Sequence, residues 1–178
     1  PPLIGQNFSI NSVADVAELE FDFIPASDTV KFTFVFASNE YLNWVNSGFN
    51  DVFAFFISGP AITGPYSSPP AFPGGAQNIA IVPGSNPALP ITISSVNNVL
   101  NSQFYIDNPF PNVGVAANGY TTRLQAISPV ICGQVHHIRI SIADAGDQSL
   151  MSAVFLEGGS FSSGNLLVSA QPSYNTSN

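Results

Sequence analysis

Apolar and polar residues alternate with a period of two along several short stretches of the chain. In residues 17–23, Leu19, Phe21 and Phe23 alternate with Glu18, Glu20 and Asp22, the pattern of a pleated strand with one wet face. Residues 30–36 set Val30, Phe32, Phe34 and Phe36 against Lys31, Thr33 and Val35. The run VFAFFIS at 52–58 is apolar almost throughout and rich in aromatic and β-branched residues, which suits a strand buried on both faces. Further strands are predicted at 78–82, 91–99, 120–127, 135–143 and 153–156. In the fourth of these, His136, Ile138, Ile140 and Ile142 share one face and Val135, His137, Arg139 and Ser141 the other. No ten-residue window sustains helical spacing. Short strands split by Pro, Gly and Asn turns predict an all-β fold, an antiparallel β-sandwich of the jelly-roll kind with long Pro/Gly-rich loops.

The turn Pro25-Ala26-Ser27-Asp28 predicts that strands 17–23 and 30–36 pair as a hairpin. After Gly59 the sequence PAITGPYSSPPAFPGG carries five prolines, each removing a ladder donor, and predicts a surface loop. A chain of 178 residues builds one well-buried core. The organisation expected is an N-terminal arm or edge strand over 1–16, a sandwich domain over 17–161 and a Ser/Asn-rich tail over 162–178.

Composition narrows the setting. Charged residues make up 8% of the chain, well below the roughly 25% usual for soluble domains, so the surface is built from Ser, Thr, Asn, Gln and Gly. An uncharged polar surface over a core with 15 Phe fits an extracellular module or a packed assembly subunit better than a cytosolic enzyme. The net charge is −8, with Lys31, Arg123 and Arg139 the only Lys or Arg residues. Three scattered cations cannot neutralise a phosphate backbone, which excludes nucleic acid. No run of about 18 apolar residues is present to span a bilayer. Pro1-Pro2 has neither an initiating Met nor a basic leader region and reads as the start of a mature or excised segment. The single cysteine, Cys132, is expected to be a small buried apolar residue.

Candidate chemistry gathers in two loops. Between the strands at 30–36 and 52–58, residues 38–51 carry Asn39, Glu40, Asn43, Asn46, Asn50 and Asp51 beside Tyr41 and Trp44. Farther on, Asp144 and Asp147 flank Ala145-Gly146, a tight turn able to aim two carboxylates at one point. Hard cations such as Ca2+ take six to eight oxygens from carboxylates, amides and backbone carbonyls. Glu40, Asn50, Asp51, Asp144 and Asp147 would supply enough if the two loops meet; otherwise they are solvated turn acids. Tyr41 and Trp44 could stack on a sugar ring or plug the end of the core. His136 and His137 are adjacent in a strand and point to opposite faces, so they cannot share a substrate. No Gly-x-Ser-x-Gly elbow or glycosidase-like acid pair is present, and no catalysis is expected.

Several blocks carry a resemblance: Leu19-Glu20-Phe21-Asp22-Phe23, FVFASNEY from Phe34, FNDVFAFFISGP from Phe49, NIAIVPG from Asn78, HIRISIADAGD from His137 and AVFLEGGSF from Ala153. Together they resemble the choice-of-anchor L domain of large secreted surface proteins. The resemblance implies a non-enzymatic β-rich module of adhesins and other cell-surface proteins, anchored by a separate sorting region. Asn39 stands where the family motif usually has Glu, so a cation site here would hold one negative charge fewer. Family members also tend to carry several dozen residues before the Leu19 block, and a sandwich deprived of such a piece would present an open edge. The expected function is a non-enzymatic extracellular adhesion or structural module stabilised by Ca2+. Two alternatives remain: a self-assembling filament or sheath subunit that donates its arm as a strand to other protein chains, and a lectin-like module contacting surface glycans through Tyr41 and Trp44.

Overall fold

The computed structural model describes residues 13–68, 72–109, 114–146 and 149–163. The described residues form nine strands: β1 (Val13–Phe23), β2 (Thr29–Ser38), β3 (Val52–Ser58), β4 (Gln77–Asn78), β5 (Tyr105–Asp107), β6 (Gly119–Thr121), β7 (Leu124–Pro129), β8 (His136–Ala145) and β9 (Ser152–Leu156). They form two antiparallel sheets. The first runs β1-β8-β3-β4. In the second, β2 is central, with β6 and β7 on one edge, β9 on the other and β5 beyond β6. Phe34 shows why those edges differ, since it pairs with both Leu124 and Leu156. The chain is the all-β sandwich its alternation predicts.

The core lies between the sheets, where the alternating Phe residues of β2 meet those of β3. Phe32 stacks on Phe55 at 5.2 Å between centroids, and Phe34 meets Phe53 and Phe55 at 5.3 and 5.4 Å. Ile138 and Ile140 of β8 complete the layer, on the face opposite His137 and Arg139 as their spacing requires. The proline-rich loop folds back over the outer face of β3, where Tyr66 packs on Phe56 at 5.0 Å.

Three sequence expectations are corrected. β1 and β2 do not form a hairpin: β1 pairs with β8 and β2 lies in the other sheet. Each strand has one apolar face, and the chain buries those faces against each other across the core instead of side by side. The segment 91–99 is not a strand. Ile91, Ile93 and Val96 are fully buried, yet Thr92, Ser95 and Asn97 turn their side chains onto nearby backbone groups and replace the ladder with turns. Cys132 is exposed, in the turn between β7 and β8 that Gly133 makes with a φ of 76°. Within the segment expected as an arm or edge strand, residues 13–16 begin β1, the outer strand of its sheet, and Ser162, at the start of the expected tail, bridges Lys31. The rest of the arm (1–12) and of the tail (164–178) lies outside the described residues.

The outer face of the β1–β8 pair holds a charged cluster. Glu20 accepts from Arg139 at 2.8 Å and contacts His137 Nε2 at 2.6 Å, while Asp22 contacts His137 Nδ1 at 2.7 Å. Partial burial pulls the Glu20 carboxyl upward, but hydrogen bonds from Arg139 and His137 outweigh it and hold the group below its ordinary 4.5. A depressed carboxyl stabilises the fold above its unfolded value and loses that contribution as pH falls through the lower folded value. Melting temperature should therefore drop more steeply below pH 4.5 in the wild-type chain than in Glu20→Gln. Parallel curves would show that the cluster contributes nothing.

Candidate cation site

At one pole the inward faces of both sheets change from aromatic to polar. On β2, Phe34 and Phe36 are followed in phase by Ser38, which is fully buried and pairs with Ser152 of β9. On the other sheet the β3–β8 ladder continues past the strand ends, Asn50 N–H donating to the Ala145 carbonyl at 3.2 Å. That register sets Asp51 opposite Asp144, in phase with Phe53 and Ile142. Oxygen-bearing side chains thus close the core where the rings stop.

The loop between β2 and β3 is tied directly to the end of β8. Glu40 and Asp51 are both 1% exposed. Glu40 Oε2 accepts the Asp51 N–H at 3.2 Å, and Asp51 Oδ1 accepts the Ala145 N–H at 3.3 Å. Glu40 N–H in turn donates to Ser38 Oγ at 3.0 Å. Gly146 makes the approach possible. Its φ is +98°, and a Cβ there would lie 2.5 Å from the Gly48 carbonyl oxygen, so a side chain would push the two segments apart.

The structure therefore brings Glu40, Asn50, Asp51 and Asp144 to one pole, with Asp144 half-buried. Asp147 lies outside the described residues. Asn50 is fully buried, and neither atom of its side-chain amide has a hydrogen-bond partner among the described residues; the same holds for the Tyr41 hydroxyl and Ser152 Oγ. Among the described residues no group of three or more His, Cys, Asp or Glu side chains is placed to hold a metal ion. A cation here would need hydroxyl, amide and backbone oxygens besides carboxylates, a donor set that calcium accepts. Beside this layer a cleft of about 350 Å³ opens between Asp15, Ala17, Ile142, Asp144, Met151 and Ser152.

The aromatic pair of the loop separates. Tyr41 is 2% exposed, wedged against Tyr105 at 4.9 Å and Phe36 at 6.4 Å, and burial pushes its phenol well above the ordinary range. It plugs the end of the core and offers no face to a sugar. Trp44 keeps 39% of its surface and packs edge-on against Phe49. His136 is fully buried, taking the Ile131 N–H on Nε2, while His137 sits on the other face with Glu20 and Asp22.

Sequence reading missed Ser38, Ser152 and Asp15 at this pole. Ser38 had a signal, a hydroxyl in phase with Phe34 and Phe36 at the end of an apolar face. Ser152 and Asp15 had none, because their positions depend on which strands pair.

Residues 3–162 match the family described as the choice-of-anchor L domain. The chain belongs to the choice-of-anchor L family. No curated protein and no solved structure matches it. Membership identifies a surface-associated module. The matched span takes in all nine strands and both polar segments of this choice-of-anchor L domain. No helix among the described residues is long and apolar enough to cross a membrane.

Proposed function

We propose that this choice-of-anchor L domain is a non-enzymatic, extracellular adhesion or structural module whose acidic pole is stabilised by Ca2+. The observation that carries this reading is the burial of Glu40 and Asp51 in one polar layer with Ser38, Ser152 and Asp144. Charges taken out of water are costly, and like charges placed together are costlier still. A divalent cation among such oxygens turns repulsion into attraction and locks the loop onto β8. Glu40, Asn50, Asp51 and Asp144 are the candidate ligands, and Asp147 lies three residues beyond Asp144 in the sequence. The role this supports is mechanical: a rigid domain, held shut in calcium-containing surroundings, that spaces or presents neighbouring segments. Thermal melting with calcium and with a chelator tests it. Calcium at about 100 times its dissociation constant should add roughly 2.7 kcal/mol, and identical curves would remove the cation from the account.

A second reading, a subunit that assembles with other copies into a filament or sheath, is favoured by one specific observation. Among the described residues the flank of the sandwich between β1 and β9 is uncovered: Leu19 and Leu156 sit on inward faces yet are 51% and 41% exposed. Apolar residues in core positions that remain in solvent mark a surface that another chain can cover.

A further inference from the structure

The uncovered flank has a definite shape. β1 pairs with β8 only and β9 with β2 only, so among the described residues the outer edges of both strands carry no backbone partner. Phe161 fills half of the gap between them, meeting Phe21 at 5.5 Å, Phe23 at 5.2 Å and Phe32 at 4.4 Å. Among the described residues nothing comparable follows Phe161. Toward the acidic pole the gap is lined by Ala17, Leu19, Met151, Val154 and Leu156, with Met151 59% exposed. The opening is a seam as long as a short strand, with an unpaired ladder edge on either side and an apolar floor.

The chain holds a segment suited to it. Residues 1–12 precede β1, and in the stretch 3–10 Ile4, Gln6, Phe8 and Ile10 fall at alternate positions with Leu3, Gly5, Asn7 and Ser9 between them, so an extended conformation would set the two groups on opposite faces. Eight extended residues reach roughly 26 Å, enough to run the open half of the seam. No side chain from 1 to 12 is charged, so the segment can approach a pole bearing Asp15 and Asp144 in a chain of net charge −8 without repulsion.

We propose that the seam between β1 and β9 receives residues 3–10 of a second copy, extending the sheet edge as a donated strand with Phe8 and Ile10 against Leu19 and Leu156. This rests on the assembly reading above and names its donor and acceptor. The alternative occupant is the same segment of the same chain, and register opposes the tightest form of it. Val13 and Ala14 are already in the ladder to Ala145 and Asp144, with a bulge before Ala17. A two-residue turn at Asn11-Ser12 would set Ile10 against Val13, aim Ser9, Asn7 and Gly5 into the seam and leave Phe8 and Ile10 outside. A strand from another copy enters in whichever register buries its apolar face. Each copy then offers one donor and one acceptor at different places, so the contact is head-to-tail and propagates.

Cysteine crosslinking of the full chain tests this, with Cys132→Ser as background. Chains carrying Phe8→Cys are mixed with chains carrying Leu19→Cys under mild oxidation, and both are sedimented over a hundredfold concentration range. The expected result is a disulfide-linked dimer in the mixture only, with species larger than monomer that Phe8→Asp abolishes while its monomer keeps the wild-type melting temperature. Assembly that persists in Phe8→Asp without the crosslink overturns the donor assignment and leaves the assembly reading standing. A monomer at every concentration overturns both. A crosslink formed within single chains carrying both cysteines, and not between chains, overturns donation in favour of self-filling.

Discussion

Phe55→Ala is expected to lower the unfolding free energy by about 3–5 kcal/mol. Phe55 is fully buried and touches the rings of Phe32, Phe34 and Phe53 within 5.2 to 5.4 Å, so its removal opens a hole that three large neighbours on two sheets cannot close. For a domain of this length each kcal/mol moves the melting temperature by roughly 2–4 °C, so a fall on the order of 6–20 °C is predicted by calorimetry. Phe155→Ala is the control. Phe155 lies on β9 facing away from the core and is 46% exposed, and its loss should cost less than about 1 kcal/mol. Equal losses at the two positions would mean that the Phe ladder between the sheets is not what holds the sandwich together.

Asp51→Ala should be nearly as damaging, and its cost should depend on calcium. Asp51 Oδ1 accepts the N–H of the fully buried Ala145, and truncation leaves that donor unsatisfied, at about 1–3 kcal/mol. In saturating calcium the lost cation adds roughly 2.7 kcal/mol. Asp51→Asn separates the two contributions. It keeps an oxygen for the Ala145 N–H and removes the charge, so its stability in chelator should lie near wild type while its gain from calcium shrinks. Chemical denaturation of the three proteins in both conditions measures all four differences. If Asp51→Asn gains as much from calcium as wild type does, the ligand assignment fails.

Much of this architecture was visible in the pattern of residues. The faces of β1, β2, β7 and β8 follow from strict alternation, because a pleated strand with one buried side leaves no other register. Which strands neighbour each other was hidden. Residues 25–28 make a sharp reversal whether the chain returns beside β1 or crosses to the opposite sheet, and the turn residues are the same in both cases. The segment 91–99 misled for a different reason: Thr92, Ser95 and Asn97 satisfy the backbone through side chains, so alternation there reports burial without pairing.

The acidic pole was half legible. Glu40, Asp51 and Asp144 stood out as acids in a chain that has few charges, and the structure joins their segments through Asp51 and Ala145. Ser152, which completes the layer, was not visible, since it meets Ser38 only because β9 lies along β2, whereas Ser38 itself is in phase with Phe34 and Phe36. Gly146 is a second residue that sequence could have offered. A glycine between two acids reads as a turn, whereas its physical role is to let the Gly48 carbonyl come close. The sequence reading expected an open edge but could not place it, because Leu19 obeys the alternation of β1 perfectly and its 51% exposure depends on which segments lie beside that strand.

Calcium titration calorimetry on the full chain at neutral pH, run alongside Asp51→Asn, is the most direct measurement of whether the pole is a cation site. The prediction is one saturable binding event per chain in the wild type, weakened at least tenfold by the substitution. No heat of binding in the wild-type protein, or equal binding in both, would contradict it and leave the pole a hydrogen-bonded polar cap with no cation.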